Sequence, residues 1–148
     1  MTLDRRSFIK VLGSASGLAL AGCAAQGPVG STTEIMPKGA TRRVVVVGGG
    51  FGGAIAAKYI RMLDKSIEVV LVEQNRQFIS CPFSNFYIAG LMNDMSTLTI
   101  GYDKLAANHG IKMVYGVATA IDPAAKKVVT TEGTLTYDRL IVSPGIDF

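Results

Sequence analysis

The stretch "RRVVVVGGGFGGAIAAKYIRML", residues 42–63, constrains the fold more than any other part of the chain. Its four consecutive valines, Val44 to Val47, show no polar alternation, so neither face of the strand they form can meet water. Such a strand belongs inside a parallel sheet covered on both sides, which predicts an α/β fold. Gly48, Gly50 and Gly53 follow in G-x-G-x-x-G spacing, and Ala54, Ala56 and Ala57 open a helix able to pack closely. Each glycine has a separate task. Gly48 turns the chain, Gly50 lets the backbone approach a pyrophosphate, and Gly53 brings helix and strand together. The diphosphate would sit at the helix N-terminus, where unpaired N–H groups and the helix dipole favour negative charge.

A glycine pattern alone is weak, because a bare strand, loop and helix can carry one. Context strengthens it. "SIEVVLVEQN" supplies a second apolar strand, and Glu73 at its end lies twenty-five residues after Gly48. A carboxylate there can accept hydrogen bonds from both ribose hydroxyls of an adenosine and repels a 2′-phosphate. The expected unit is a Rossmann-like dinucleotide-binding domain.

The remainder indicates which dinucleotide. A polar helix, "YDKLAANHG", precedes the strand "IKMVYG". Two alternating segments, "KKVVTT" and "TLTYD", join at Glu132-Gly133 and read as a hairpin ahead of a buried strand, "RLIVS". A β-meander inserted before the return strand, followed by "YDRLIVSPG", resembles the FAD-binding domain of the two-dinucleotide-binding flavoprotein reductases. The resemblance implies backbone contacts to adenine from Val117 and Ala118. It also brings Ser143, Pro144 and Gly145 toward the flavin diphosphate. Phe51, Gly52 and Gln74, beside the fingerprint residues, join the implied cofactor contacts. Ser-Pro-Gly replaces the commoner Ala-Thr-Gly, so a threonine hydroxyl contact is missing.

"FISCPFSN", residues 78–85, holds Cys81, with no second cysteine nearby to form a redox dithiol. A thiol at this point can be a redox partner, a covalent anchor or a small packed hydrophobe. "CPFSN", "GGGFGG", "AIDPAAKKV" and "YDRLIVSPGIDF" together resemble the flavoprotein subunits of flavocytochrome c sulfide dehydrogenases, over essentially everything after about residue 41. That resemblance implies a thioether from Cys81 to the 8α-methyl group of FAD. It further implies sulfide as substrate, electron transport through the flavin, and a c-type cytochrome subunit as heterodimer partner.

The N-terminus reads as an address. "LDRRSFIKVLGSASGLALAGCAAQ" has paired arginines, an apolar stretch and small residues suited to cleavage. "DRRSFIK" resembles a twin-arginine export signal, with Arg5 and Arg6 read by a receptor and Phe8 at the usual apolar position. That route carries proteins folded around a cofactor and implies a periplasmic location. "LAGC" resembles a lipoprotein cleavage box, so lipidation of Cys23 and simple cleavage both stay open. The expected organisation is a signal over 1–25, a Gly/Pro/Ser/Thr-rich linker over 26–41, and the FAD-binding domain over 42–148. Without residues 1–25 the chain keeps twelve basic against ten acidic side chains, near +2, which is no footprint for nucleic acid.

Other residues point less far. His109, the sole histidine, precedes Gly110 at a helix end and suits capping. Phe83, Phe86 and Tyr87 are spaced to line a flavin pocket or to pack in the core, and core packing is the stronger expectation; Lys126 and Lys127 are expected in solvent, and Ser84 and Asn85 at a helix cap. No catalytic residue and no metal ligand set is expected within the chain. It lacks the redox disulfide that the resemblance implies beside the flavin, and it lacks C-x-x-C-H, so no haem attaches covalently. It reads as an incomplete, N-terminal part of a larger flavoprotein, expected not to turn over sulfide alone. Two alternatives stand: a sulfide:quinone reductase-like flavoprotein, and a truncated, non-catalytic dinucleotide-binding module.

Overall fold

The computed structural model describes residues 33–39 and 41–145. The expectations for Arg5, Arg6, Phe8 and Cys23 lie outside the described residues. Strand β1 (Arg43–Val47) leads through the glycine loop into helix α1 (Phe51–Leu63) and strand β2 (Glu68–Glu73). Next come β3 (Gln77–Ile79), the short α2 (Ser84–Ile88), a 3₁₀ turn (Ser96–Leu98), β4 (Thr99–Gly101) and α3 (Asp103–His109). Strand β5 (Lys112–Tyr115) precedes a meander of β6 (Ala118–Asp122), β7 (Lys127–Thr130) and β8 (Gly133–Thr136), and β9 (Arg139–Val142) closes the order.

The parallel sheet runs β5-β2-β1-β9, with Val45 of β1 opposite Val70 of β2 on one side and Leu140 of β9 on the other. Alternate valines of β1 enter different cores. Val45 and Val47 join Val70, Val72, Val128, Leu135 and Tyr137 under the meander. Val44 and Val46 join Ala57, Val69, Leu71 and Ile111 under α1 and α3. The valine run is therefore buried on both faces, and each fully buried Val contributes about 1.5–3 kcal/mol. Helix α1 approaches on a narrow stripe, Gly53 and Ala57, whose small side chains let it lie close to the sheet. At its far end Arg61 donates to the carbonyls of His109 (2.9 Å), Ile67 (2.6 Å) and Lys65 (2.5 Å), tying α1 to the end of α3. His109 is the last residue of α3, and Gly110 caps it in the left-handed region (φ 63°).

Part of the expected linker is docked, and two expectations about α2 are corrected. Residues 33–38 fall within the predicted linker but are docked. Ile35 and Met36 pack on the meander-side core, Ile35 N–H donates to Thr134 (3.1 Å), and Thr134 N–H donates to Thr33 (2.9 Å). Composition hides this because the two apolar side chains sit among turn residues. Phe83, Phe86 and Tyr87 are not core residues: all three are exposed, as is Ile88, since α2 packs no face against the sheet. Ser84 and Asn85 form the first two positions of α2 rather than its cap, which is Phe83 in a left-handed conformation (φ 70°) with no side-chain bond.

A buried charge locks the opposite end of the sheet. Arg43 has no solvent exposure, and its guanidinium donates to Glu68 (2.5 Å) and to the carbonyls of Met36 (2.7 Å) and Pro37 (3.1 Å). Lys112 of β5 completes the ion pair on Glu68 (2.5 Å), so one carboxylate connects β1, β2 and β5. Burial pushes the Glu68 carboxyl up, but the Arg43 and Lys112 hydrogen bonds outweigh it and hold it below the usual range. Because the folded value lies below the unfolded one, this stabilisation is present above an unfolded pKa of about 4.3. It is lost as pH falls through the lower folded value.

Arg43→Met leaves Glu68 with Lys112 alone and removes the donor to the Met36 and Pro37 carbonyls, and it should cost about 1–3 kcal/mol in urea unfolding. Arg43→Lys should recover part of that, because a single ammonium cannot reproduce the fork. In Glu68→Gln the fall in stability below about pH 4.3 should be shallower than in the wild type. An unchanged profile in that variant would remove Glu68 from the acid response.

Candidate functional site

All four parallel strands end on one side, where ligands of such sheets bind at the point where connections diverge. The strand ends are stitched together just before the chain turns. Gly48 N–H donates to Val72 (2.9 Å), Ser143 N–H to Val47 (2.8 Å) and Gly116 N–H to Glu73 (3.0 Å). Between them opens a cleft of about 430 Å³. Of the sequence-predicted residues it gathers Gly48, Gly50, Glu73 and Gln74 from one side, and Val117, Ala118, Ser143, Pro144 and Gly145 from the other. Asn75, Phe78 and Gly116 complete the wall. Phe51, Gly52 and Gly53 form the first turn of α1 beside it. Cys81 lies outside the lining; it is exposed and unpaired, not a packed core thiol. The chain leaves the cleft at Phe78, and Cys81 follows three residues later.

The glycines separate into those the chain itself requires and one it does not. Gly48 turns with φ 95°, and a Cβ there would strike the Ser143 carbonyl, so a side chain has no room. A Cβ on Gly53 would strike the Gly48 carbonyl and come within 3.3 Å of Val46. One on Gly49 would lie 2.7 Å from the Tyr102 hydroxyl, and one on Gly52 2.9 Å from the Ser143 hydroxyl. Gly50 differs. Its backbone is extended (φ −64°, ψ −170°), and a Cβ there would meet nothing nearer than Phe78 at 3.8 Å. The fold leaves that position open on the cleft side, as a site does when a ligand is to approach the backbone. The first N–H groups of α1 have no partner within the helix, so a diphosphate suits the same end.

Glu73 holds the loop as well as facing the cleft. Its Oε2 accepts the Gly49 N–H (2.6 Å) and its Oε1 accepts the Asn75 N–H (2.9 Å). Each carboxylate oxygen keeps a further lone pair for a ribose hydroxyl. On the far wall, Val117 N–H donates to the Thr131 hydroxyl (3.1 Å) and its carbonyl accepts the Thr131 N–H (3.0 Å). The Val117 N–H is thus committed to the meander, which narrows the adenine contacts expected there to its carbonyl and to Ala118.

Two participants escaped the sequence reading. Tyr102, just before α3, is buried, and its hydroxyl donates to the Gly49 carbonyl (3.0 Å). Burial pushes its pKa up to about 12, with the charge of Glu73 adding to the effect, so the phenol remains a neutral donor. Phe78 stands edge-to-face with Phe51 at 4.9 Å and separates the cleft from an apolar hollow of about 170 Å³ beside α1. The available signal was an aromatic residue between a short strand and a helix, in "TIGYDKL". Among the described residues no cluster of His, Cys, Asp and Glu suits a metal ion, and no helix is long and apolar enough to cross a membrane.

Comparison with known proteins places this geometry. Over 45 residues the chain is 69% identical to the sulfide dehydrogenase (flavocytochrome c) flavoprotein chain of Chlorobaculum thiosulfatiphilum, covering 94% of that sequence and 30% of this one. Among solved structures, the sulfide:quinone oxidoreductase of Aquifex aeolicus is similar at 27% identity and TM-score 0.66, over 72% of this chain and 25% of its own. An NAD-dependent persulfide reductase from A. fulgidus is similar at 27% identity and TM-score 0.64, over 70% of this chain and 21% of its own. The chain thus spans about a quarter of the length of these solved relatives. Residues 42–147 match the family model for pyridine nucleotide-disulphide oxidoreductases, and the chain belongs to that family.

Proposed function

We propose that the chain is the FAD-binding part of a periplasmic flavoprotein that oxidises sulfide and passes electrons through its flavin to a c-type cytochrome subunit. The observation that carries this reading is the 69% identity to a sulfide dehydrogenase flavoprotein chain, on a fold whose cleft leaves Gly50 open. The loop Gly48–Gly53 and the start of α1 would hold the diphosphate, with Ser143–Gly145 closing from the opposite strand end. Glu73 would accept the ribose hydroxyls, and Gln74 borders the same pocket. Ala118 and the Val117 carbonyl would meet the adenine. FAD would supply a two-electron acceptor for sulfide oxidation that can hand electrons on singly to a haem.

Cys81 would anchor the flavin through a thioether to its 8α-methyl group. Its exposed sulfur, on the segment that leaves the cleft at Phe78, supports that role. A tethered cofactor cannot be lost to the periplasm, where none is made. Residues 1–25 would direct export by the twin-arginine route, and lipidation of Cys23 would add a membrane anchor. A second reading, a flavoprotein delivering electrons to quinone, is favoured by the likeness to the Aquifex aeolicus enzyme. In the full-length protein, sulfide-dependent reduction of cytochrome c but not of a soluble quinone supports the first reading, and the reverse supports the second.

Three results test the assignment in protein matured in its own host. Under SDS denaturation the wild type should keep in-gel flavin fluorescence and Cys81→Ala should release it; flavin washing out of both would end the thioether proposal. In a Cys81→Ala background, Gly50→Ala should leave the melting temperature of the flavin-free protein unchanged, because the fold has room for the methyl group, while flavin affinity drops by roughly tenfold or more. Changing Arg5 and Arg6 together to Lys should abolish periplasmic accumulation, and continued accumulation would count against the twin-arginine route.

A further inference from the structure

The Gly49 main chain is held from both sides before any ligand arrives. Its N–H donates to Glu73 Oε2 at 2.6 Å, and its carbonyl accepts from the Tyr102 hydroxyl at 3.0 Å. The tyrosine cannot easily move. It is buried among Val44, Val46, Ala57, Val69 and Leu71, and its ring lies where a Cβ of residue 49 would be, 2.9 Å from that position. The peptide joining Gly49 to Gly50 is planar and trans, so its C=O and N–H point in opposite directions. With the carbonyl drawn inward to Tyr102, the Gly50 N–H must face outward, at the residue that lines the cleft and leaves space at its Cα.

We propose that Tyr102 is a positioning residue for diphosphate recognition, holding the Gly49–Gly50 peptide so that the Gly50 N–H presents to the anion. The proposal rests on the reading of the cleft as a dinucleotide site and assigns a determinant within it. Tyr102 acts through the peptide and need not touch the ligand. The hydroxyl therefore matters most for ligands that carry a diphosphate and least for those that present only adenine and ribose. A donor fixed in advance also spares the ligand the cost of ordering the loop, so the effect falls on affinity.

The test uses the full chain carrying Cys81→Ala, which cannot tether flavin and serves as the wild-type reference at positions 49 and 102; it is freed of flavin, with FAD, ADP and adenosine as separate titrants in calorimetry. Tyr102→Phe keeps the ring that fills the core and removes only the hydroxyl. It should weaken FAD and ADP by roughly tenfold and leave adenosine within about twofold of the wild type. Gly49→Ala, which forces the loop away from the phenol, should give the same selective loss, so the proposal does not depend on one variant. Circular dichroism on each variant reports folding independently of binding. Equal affinities of wild type and Tyr102→Phe for FAD and ADP would overturn the positioning role. An equal loss for adenosine would likewise overturn it in favour of general destabilisation. If the wild type binds none of the three, the dinucleotide reading itself fails, an outcome distinct from either.

Discussion

Strand β1 has no solvent face, and the rest of the structure follows from that constraint. Burying both sides of Val44–Val47 requires a layer on each, which α1 and α3 provide on one side and the β6–β8 meander on the other. A strand so enclosed can reach solvent only at its ends. One end carries Arg43, whose charge is neutralised by Glu68 and shared with the docked segment at Met36 and Pro37. The other end carries Gly48, where the chain turns sharply and the cleft begins. Stability and recognition are thereby concentrated at opposite ends of the sheet.

The two ends use polar groups differently. At one end the Arg43 guanidinium is spent within the protein, on Glu68 and the Met36 and Pro37 carbonyls, and with Lys112 the network ties β1, β2 and β5 together. At the cleft end Glu73 and Tyr102 satisfy the Gly49 peptide groups, while the N-terminal N–H groups of α1 are left for a ligand. Under the proposed reading, an anion bound there would meet donors already in place and pay little ordering cost.

Much of this was legible in the sequence because the informative segments are long or carry unusual residues. A four-valine run, a glycine pattern and a carboxylate at the end of the next strand each have one dominant physical explanation, and the structure gathers Gly48, Gly50, Glu73 and the Ser143–Gly145 turn around one cleft. What escaped depends on tertiary contact. Arg43 looks like the polar edge of a strand until Glu68 and the carbonyls of the docked Met36 and Pro37 meet it. The antiparallel β3–β4 pair is built from three-residue strands far apart in sequence, too short to show a period. Phe83, Phe86 and Tyr87 were expected inside because aromatic residues favour cores, yet α2 stands clear of the sheet and exposes them. Tyr102 carried only a weak local signal, an aromatic residue between a short strand and a helix, since its partner lies fifty-three residues earlier.

The account comes down to whether the cleft between Gly50 and Glu73 is a flavin dinucleotide site. The most direct measurement is the absorption spectrum and flavin-to-chain ratio of the protein purified from its own host. A flavin spectrum with FAD stoichiometric to the chain is the predicted result. Protein that is folded by circular dichroism, carries no flavin and takes up none when FAD is added would contradict it.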